Sequence, residues 1–359
     1  MFVFHQRTIS SACLEQVNTA KEPNDSTNAP HAPAKTRTPP TGNNLLYGPG
    51  STVYLTQSEQ DYRNPERKPN PPEVKQAQRE GAEAKITLRV VDSRGVPVPN
   101  ANVRVAFFHR GSCPIDGESD TNGFFTAEHR SGADVQFHVS KVGYYKTFRN
   151  YWFFREGTQC VKDDRWVPWN PTLEVVLKEK RNPVSLIYKS IESRMPVYDK
   201  PIGFDFAIGD WVNPYGQGQY SDMMLTYSEA LGTNVSRRYD FCVAFTNVHS
   251  GAYVLQTDRY SQLLSEYTAA TNGYLPILQF TYERTDTQII HDKRLDDDHM
   301  IVFRVRTELD ANGDLASAFY GKIYGPFKFA DGPQRFVRFA YYFNPRPNDQ
   351  NLEAEGRYP

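Results

Sequence analysis

"ITLRVVDSRGVPVPNANVRVAF" spans residues 86–107, and its reading decides the fold class. Ile86, Leu88 and Val90 alternate with Thr87 and Arg89, and Val103 and Val105 resume the alternation after a link bracketed by Pro97 and Pro99. A period of two is that of a strand with one buried face. The Asp92–Gly95 stretch reads as the turn between the two runs, with Gly95 as its glycine.

The same pattern continues downstream. "DTNGFFTAEH" (120–129) is a turn leading into a strand, with Gly123 at the turn position. "ADVQFHVSKVGYYKTF" (133–148) places Val135, Phe137 and Val139 on one face, and "TLEVVLKEK" (172–180) closes the set. Short strands at regular intervals with turn signals between them predict an antiparallel β-sandwich.

The order "KITLRVVDSRGVPVPNANV", "DTNGFF", "VSKVGYYK" and "LEVVLK" resembles the carboxypeptidase regulatory-like, transthyretin-like (Ig-like) domain over about residues 84–178. Its pattern matches Asp92, Gly95, Pro97, Val98, Ala101, Val103, Asp120, Gly123, Lys141, Gly143 and Tyr144. A long insertion, "RNYWFFREGTQCVKDDRWVPWNP" (149–171), departs from it. The resemblance implies a non-catalytic sandwich, a scaffold or accessory module of enzymes, transporters and cell-envelope proteins. The matched residues themselves have structural reasons: turns, fixed φ and core.

At 359 residues the chain is long enough for two domains and a tail. Residues 1–83, rich in Pro, Asn, Thr and Ser, are expected to be a disordered or extended N-terminal segment, with at most a turn or two of helix in "PPEVKQAQREGAEA". The sandwich follows at 84–180, a second, mostly β domain of unknown family at 183–350, and a polar tail at 351–359. Within the second domain, "DRYSQLLSEYTAATNGYLP" (258–276) is the best helix candidate, with Leu263, Leu264 and Tyr267 on one side. "HMIVFRVRTELDANGDLASAFYGKIYG" (299–325) reads as a hairpin about a "DANG" turn. The fold class is therefore all-β.

With 41 basic and 42 acidic residues the net charge is −1, which argues against a nucleic-acid partner. No apolar run reaches the ~20 residues of a membrane-spanning helix. "ISSAC" before Cys13 is like the end of a lipoprotein cleavage site, but His5, Gln6 and Arg7 break the apolar stretch ahead of it, and chance is the favoured reading. The whole nonetheless reads as an exported protein of the periplasm, cell surface or medium. Cys113 and Cys160 lie in polar, loop-like stretches of one domain, and spacing leaves two readings open: a disulfide between them in an oxidising compartment, or two separate thiols.

Each candidate chemical site competes with a plainer reading. "ELDANGDL" sets Asp310, Asn312 and Asp314 at alternate positions like a calcium loop, but Gly313 is out of place and a hairpin turn suffices. "HDKRLDDDHM" (291–300) gathers four aspartates and two histidines, and a charged loop accounts for it. The eight histidines show no metal-ligand spacing, and no cofactor motif is present, so no metal or cofactor is expected.

"GFDFAIGDWVNPYGQGQYSDM" (203–223) offers Asp205, Asp210 and Asp222, and the aromatics Trp211, Tyr215 and Tyr220. The 149–171 insertion adds Trp152, Trp166 and Trp169. Those six aromatics are the expected binding surface, with turns and core as the competing reading in the first stretch and a contact between domains in the second. Two functions remain open. One is a non-catalytic exported protein that binds a glycan or a protein. The other is a carbohydrate-active hydrolase, which needs two of Asp205, Asp210, Asp222 and Asp296 facing each other at about 5–10 Å.

Overall fold

The computed structural model describes residues 69–155, 157–231, 237–257, 260–284, 289–329 and 336–356. The N-terminal stretch 1–68, including Cys13 and "LLYGPGSTVYLTQ", lies outside them. The chain forms two compact units. One comprises Thr56–Val184 with the later segments Asp258–Tyr267 and Glu353–Pro359, and the other Ser185–Thr257 with Thr268–Leu352.

The first unit begins with helix α1 (Pro72–Glu80), where the sequence predicts at most two turns in an otherwise extended segment. Pro72 stands in the first turn, where its missing N–H costs nothing, and Gly81 ends the helix at φ 75°. Val74 and Ala77, three apart and so on one face, are buried in the sandwich core. That burial is what holds a helix this short.

Two sheets follow. Strand β1 (Ala82–Asp92) pairs antiparallel with β4 (Phe124–Ser131) on one side. On the other it runs parallel to β8 (Arg165–Trp166) and then β9 (Thr172–Leu177), with β7 (Val161–Lys162) beyond β8. The second sheet has the order β3 (Ser112–Glu118), β2 (Asn102–Phe108), β5 (Asp134–Ser140), β6 (Thr147–Trp152), all antiparallel. Ile86, Leu88 and Val90 face Val103, Val105, Val135, Phe137 and Val139 in one core, as their alternation predicts.

The turns are built as their residues dictate. Asp92 Oδ1 accepts from the amides of Arg94 and Val96, and Gly95 takes φ 80°. Asp120 does the same for Asn122 and Phe124 ahead of β4, with Gly123 at φ 82°. A side chain at Gly123 would meet the Val90 carbonyl oxygen at 2.4 Å.

The second unit also has two sheets. One is β10 (Ile187–Arg194), β21 (Phe336–Phe343), β19 (Leu315–Ile323), β18 (His299–Leu309), β15 (Gly251–Gln256), with β20 (Lys328–Phe329) against β21. The other is β12 (Asp210–Trp211), β11 (Ile202–Asp205), β13 (Met223–Leu231), β14 (Arg237–Ala244), β16 (Ile277–Arg284), β17 (Ile289–His291). Their aromatic core includes Phe206 stacked on Phe303 at 4.0 Å. The 299–325 hairpin forms, with Asp310 Oδ1 accepting from Asn312 and Asp314 and Gly313 at φ 85°, so "DANG" is a turn.

Three expectations are corrected. Residues 260–276 contain no helix. Ser261 bridges Thr147 beside β6, and Lys178 Nζ takes the Leu263 and Ser265 carbonyls that a helix would use internally. Burial of Leu263 and Leu264 here outweighs their helical spacing. Cys113 and Cys160 are free thiols. Cys113 sits partly exposed on the sheet-edge strand β3, whereas Cys160 is buried in the core with its sulfur toward the Arg155 carbonyl. Finally, residues 351–354 are buried: Glu353 accepts from Tyr145 Oη and from the amides of Arg181 and Asn182.

Candidate functional site

The outward face of the β3-β2-β5-β6 sheet carries Trp152, one of the two most exposed of the predicted aromatics. Directly paired residues of an antiparallel sheet share a face, so the register gives its layout. Asp134 lies opposite Trp152, Gln136 opposite Asn150, and His138 opposite Phe148. Arg104 continues the His138 row and Asp116 completes it.

Trp152 is 58% exposed and Phe148 41%. Four residues apart on one strand, they stand about 13 Å from each other along it. Between them lie the amides of Asn150 and Gln136. The His138 ring tilts against Phe148 at 4.5 Å, and Arg104 holds Asp116 through two bonds of 2.7 and 2.9 Å. Burial, with Arg104 and Lys146 nearby, pushes the His138 imidazole below its ordinary value.

Two acceptors of this face, Asp134 Oδ1 and Asn150 Oδ1, are shielded from solvent and have no hydrogen-bond partner. Burial pushes the Asp134 carboxyl above the usual carboxylate range. A shielded acceptor without a donor is costly, about 1–3 kcal/mol. The face thus combines exposed apolar rings with polar side chains, of which Asp134 Oδ1 and Asn150 Oδ1 are covered.

The neighbouring aromatics of the insertion have other tasks. Trp166 is fully buried and donates Nε1–H to the Ser131 carbonyl at 2.7 Å. Phe153 is likewise core, edge-on to Tyr151. Trp169 is half-buried beneath the Arg165 guanidinium, 4.8 Å from its ring. Trp166 therefore drops out of any surface.

In the second unit the 205–222 loop is held by its aspartates. Asp205 Oδ1 accepts from the amides of Ala207 and Ile208, and Oδ2 from those of Gln219 and Tyr220. Asp210 binds the amides of Trp211 and Gln217, and Asp222 that of Phe206. Arg306 ties Asp205 to Asp222, with contacts of 2.7–2.8 Å. Arg306 itself sits at φ 51° where the β18–β19 register shifts, a bulge that aims its side chain at the loop.

Burial raises the Asp205 carboxyl, but the amides of Gln219, Tyr220 and Ile208 and the Arg306 charge outweigh it and hold the group below the ordinary value. Asp222 is pushed up by burial against the pull of Arg306.

Trp211 is buried, with Nε1–H donated to Ser193 Oγ at 2.9 Å. Tyr215 and Tyr220 are exposed, and the Tyr220 ring lies 4.6 Å from the Arg306 guanidinium. Asp205 and Asp222 do converge, but on a guanidinium, with their oxygens occupied. The geometry therefore opposes a hydrolytic pair.

The Asp296–Asp298 run is dispersed: Asp297 meets Lys328, and Asp298 accepts from Gln256 and contacts His299. Among the described residues no three His, Cys, Asp or Glu side chains gather as a metal would need.

No family model matches the sequence, and no curated protein matches it. Among solved structures the chain is similar to 3-chlorocatechol 1,2-dioxygenase from Rhodococcus opacus, at 12% identity over 49% of this chain and 79% of that one, TM-score 0.24. Hydroxyquinol 1,2-dioxygenase from Pseudomonas putida gives 14% over 47% and 72%, TM-score 0.22. BcpA, the major pilin subunit of Bacillus cereus, gives 11% over 73% and 68%, TM-score 0.21.

Proposed function

We propose that the chain is a non-catalytic binding protein whose first unit holds a glycan on the outward face of the β3-β2-β5-β6 sheet. The observation that carries this reading is the exposed Trp152 ring on a flat strand face that also carries the polar side chains of Asp134, Gln136, His138 and Asn150. A pyranose presents a C–H face that lies on an indole, and hydroxyls at its edge that donate to amide and carboxylate oxygens. The face is flat and built on strands, which suits positioning better than chemistry.

Residues 84–178 are read, on the same basis, as a carboxypeptidase regulatory-like domain. Support comes from Gly95, Gly123 and Gly143, which take φ 80°, 82° and 84° where that pattern calls for glycine. Export to the cell envelope or medium belongs to this reading, since glycan polymers are met there.

The test is a glycan array probed with the full chain and with Trp152→Ala. Wild type should retain a defined set of glycans, and the variant should lose at least tenfold in affinity while unfolding at the same temperature. Equal binding by both proteins, or an array with no signal at all, would remove the proposal.

A further inference from the structure

A separate pocket lies in the first unit between α1 and the β2–β3 turn. Its volume is about 420 Å³, and it is lined by Gln78, Arg79, Phe108, His109, Arg110 and Gly111, with Gly132 completing the wall. Arg79, His109 and Arg110 line it, and among the described residues no carboxylate does.

Four other arginines of the same unit carry ion pairs. Arg89, Arg94, Arg104 and Arg130 each hold a carboxylate. Arg79 and Arg110 make no ion pair among the described residues. The acid next to Arg79 is engaged along the helix, where Glu80 accepts from Gln76 Nε2 at 2.9 Å.

The backbone fixes this arrangement. Arg110 takes φ 51° and Gly111 φ 143°, and the His109 amide closes the turn on the Gly111 carbonyl at 3.0 Å. The His109 ring lies over Gly81, where an added Cβ would come within 3.0 Å of its Cγ. Glycine at that position lets the imidazole lie against the helix end. The Gly132 amide bonds the Phe108 carbonyl at 2.7 Å and closes the wall. Left-handed backbone at a non-glycine residue is uncommon and is a feature that functional loops often carry.

We infer that this pocket binds a tetrahedral oxyanion, a phosphate or sulfate ester carried on a sugar-sized molecule. A single guanidinium satisfies a planar carboxylate with its two parallel donors. Here the two arginines belong to different elements, a helix and a turn, and a donor set from two elements suits an anion with three outward oxygens. The volume leaves room for the body of the ligand beside the ester. The pocket does not depend on the sheet-face reading, because neither Trp152 nor Asn150 lines it.

The experiment is calorimetric titration of the full chain, at low ionic strength, with glucose 6-phosphate, glucose 6-sulfate, glucuronate and glucose. Saturable binding of one or both esters is expected, with glucuronate at least tenfold weaker and glucose silent. The two esters tell phosphate from sulfate. The double variant Arg79→Gln, Arg110→Asn should bind the preferred ester at least tenfold more weakly, whereas Trp152→Ala should bind it as wild type does. Gln suits the exposed helix position, and Asn tolerates the left-handed one. If the double variant loses its fold, Arg79→Gln alone should still weaken binding severalfold. Absence of saturable binding by either ester, undiminished binding by the folded variant, or glucuronate binding as tightly as the esters would each overturn the assignment.

Discussion

Arg306 and Asp222 meet as a two-armed ion pair, Nε to Oδ1 at 2.7 Å and Nη2 to Oδ2 at 2.8 Å, and the same Nη2 reaches Asp205 at 2.8 Å. Both carboxylates are 1% exposed. Removing one partner of a buried pair strands the other in a medium that cannot solvate it. Arg306→Met should therefore cost about 3–5 kcal/mol in urea unfolding. Adding Asp222→Asn to that variant should recover part of the loss. A cost near zero would mean that solvent reaches the pair.

The same cluster sets an acid limit. Asp205 has a folded pKa below its unfolded value near 3.9. Its contribution is therefore complete above about pH 4 and is lost as pH falls through the folded value. Asp222 is shifted the other way, so its ionisation works against the folded state as pH rises. Asp205→Asn should be less stable than wild type at pH 7 and show a shallower loss of stability below pH 4. Urea midpoints from pH 3 to 7 would read both effects, and parallel curves for the two proteins would contradict them.

Glu353 is the anchor of the C-terminal segment. Its Oε1 accepts from Tyr145 Oη and the Arg181 amide, at 3.0 and 2.9 Å, and Oε2 from the Asn182 amide at 2.8 Å. Glu353→Ala leaves those donors in a buried site, and a loss of about 2 kcal/mol is expected in chemical unfolding. A change below about 0.5 kcal/mol would show that the segment adds nothing to the sandwich.

The thiols should separate by exposure. Cys113 should be alkylated in the native protein, and Cys160 only once the core opens. Peptide mapping after native and denaturing iodoacetamide treatment checks this, and recovery of a Cys113–Cys160 disulfide-linked peptide would refute it.

The strands and turns were largely legible from residue order. Ile86, Leu88 and Val90 show their buried side by alternation alone, and Asp120, Gly123 and Asp310 announce turns whose bonds stay within a few residues. What stayed hidden depends on partners far away in the chain. Trp152 and Trp166 share one insertion, yet Trp166 is buried because its N–H finds Ser131, 35 residues earlier. The Arg306 bulge arises from a register shift between two strands, and its carboxylates lie 84 and 101 residues away. The helical spacing around Leu263 was real, but the carbonyls there serve Lys178, 85 and 87 positions back. Arg79 and Arg110 come to line one pocket only when α1 docks beside the turn.

The route of the chain bears on how the protein can be dissected. Asp258–Tyr267 and Glu353–Pro359 are members of the first unit although the second unit's sequence runs between and before them. A gene fragment stopping at residue 184 would thus encode a sandwich missing its last two pieces, and one starting at 185 would carry those pieces without their seat. Truncation libraries should return few soluble products from that boundary, and a permutant that rejoins the three segments would be the smallest version able to stand alone.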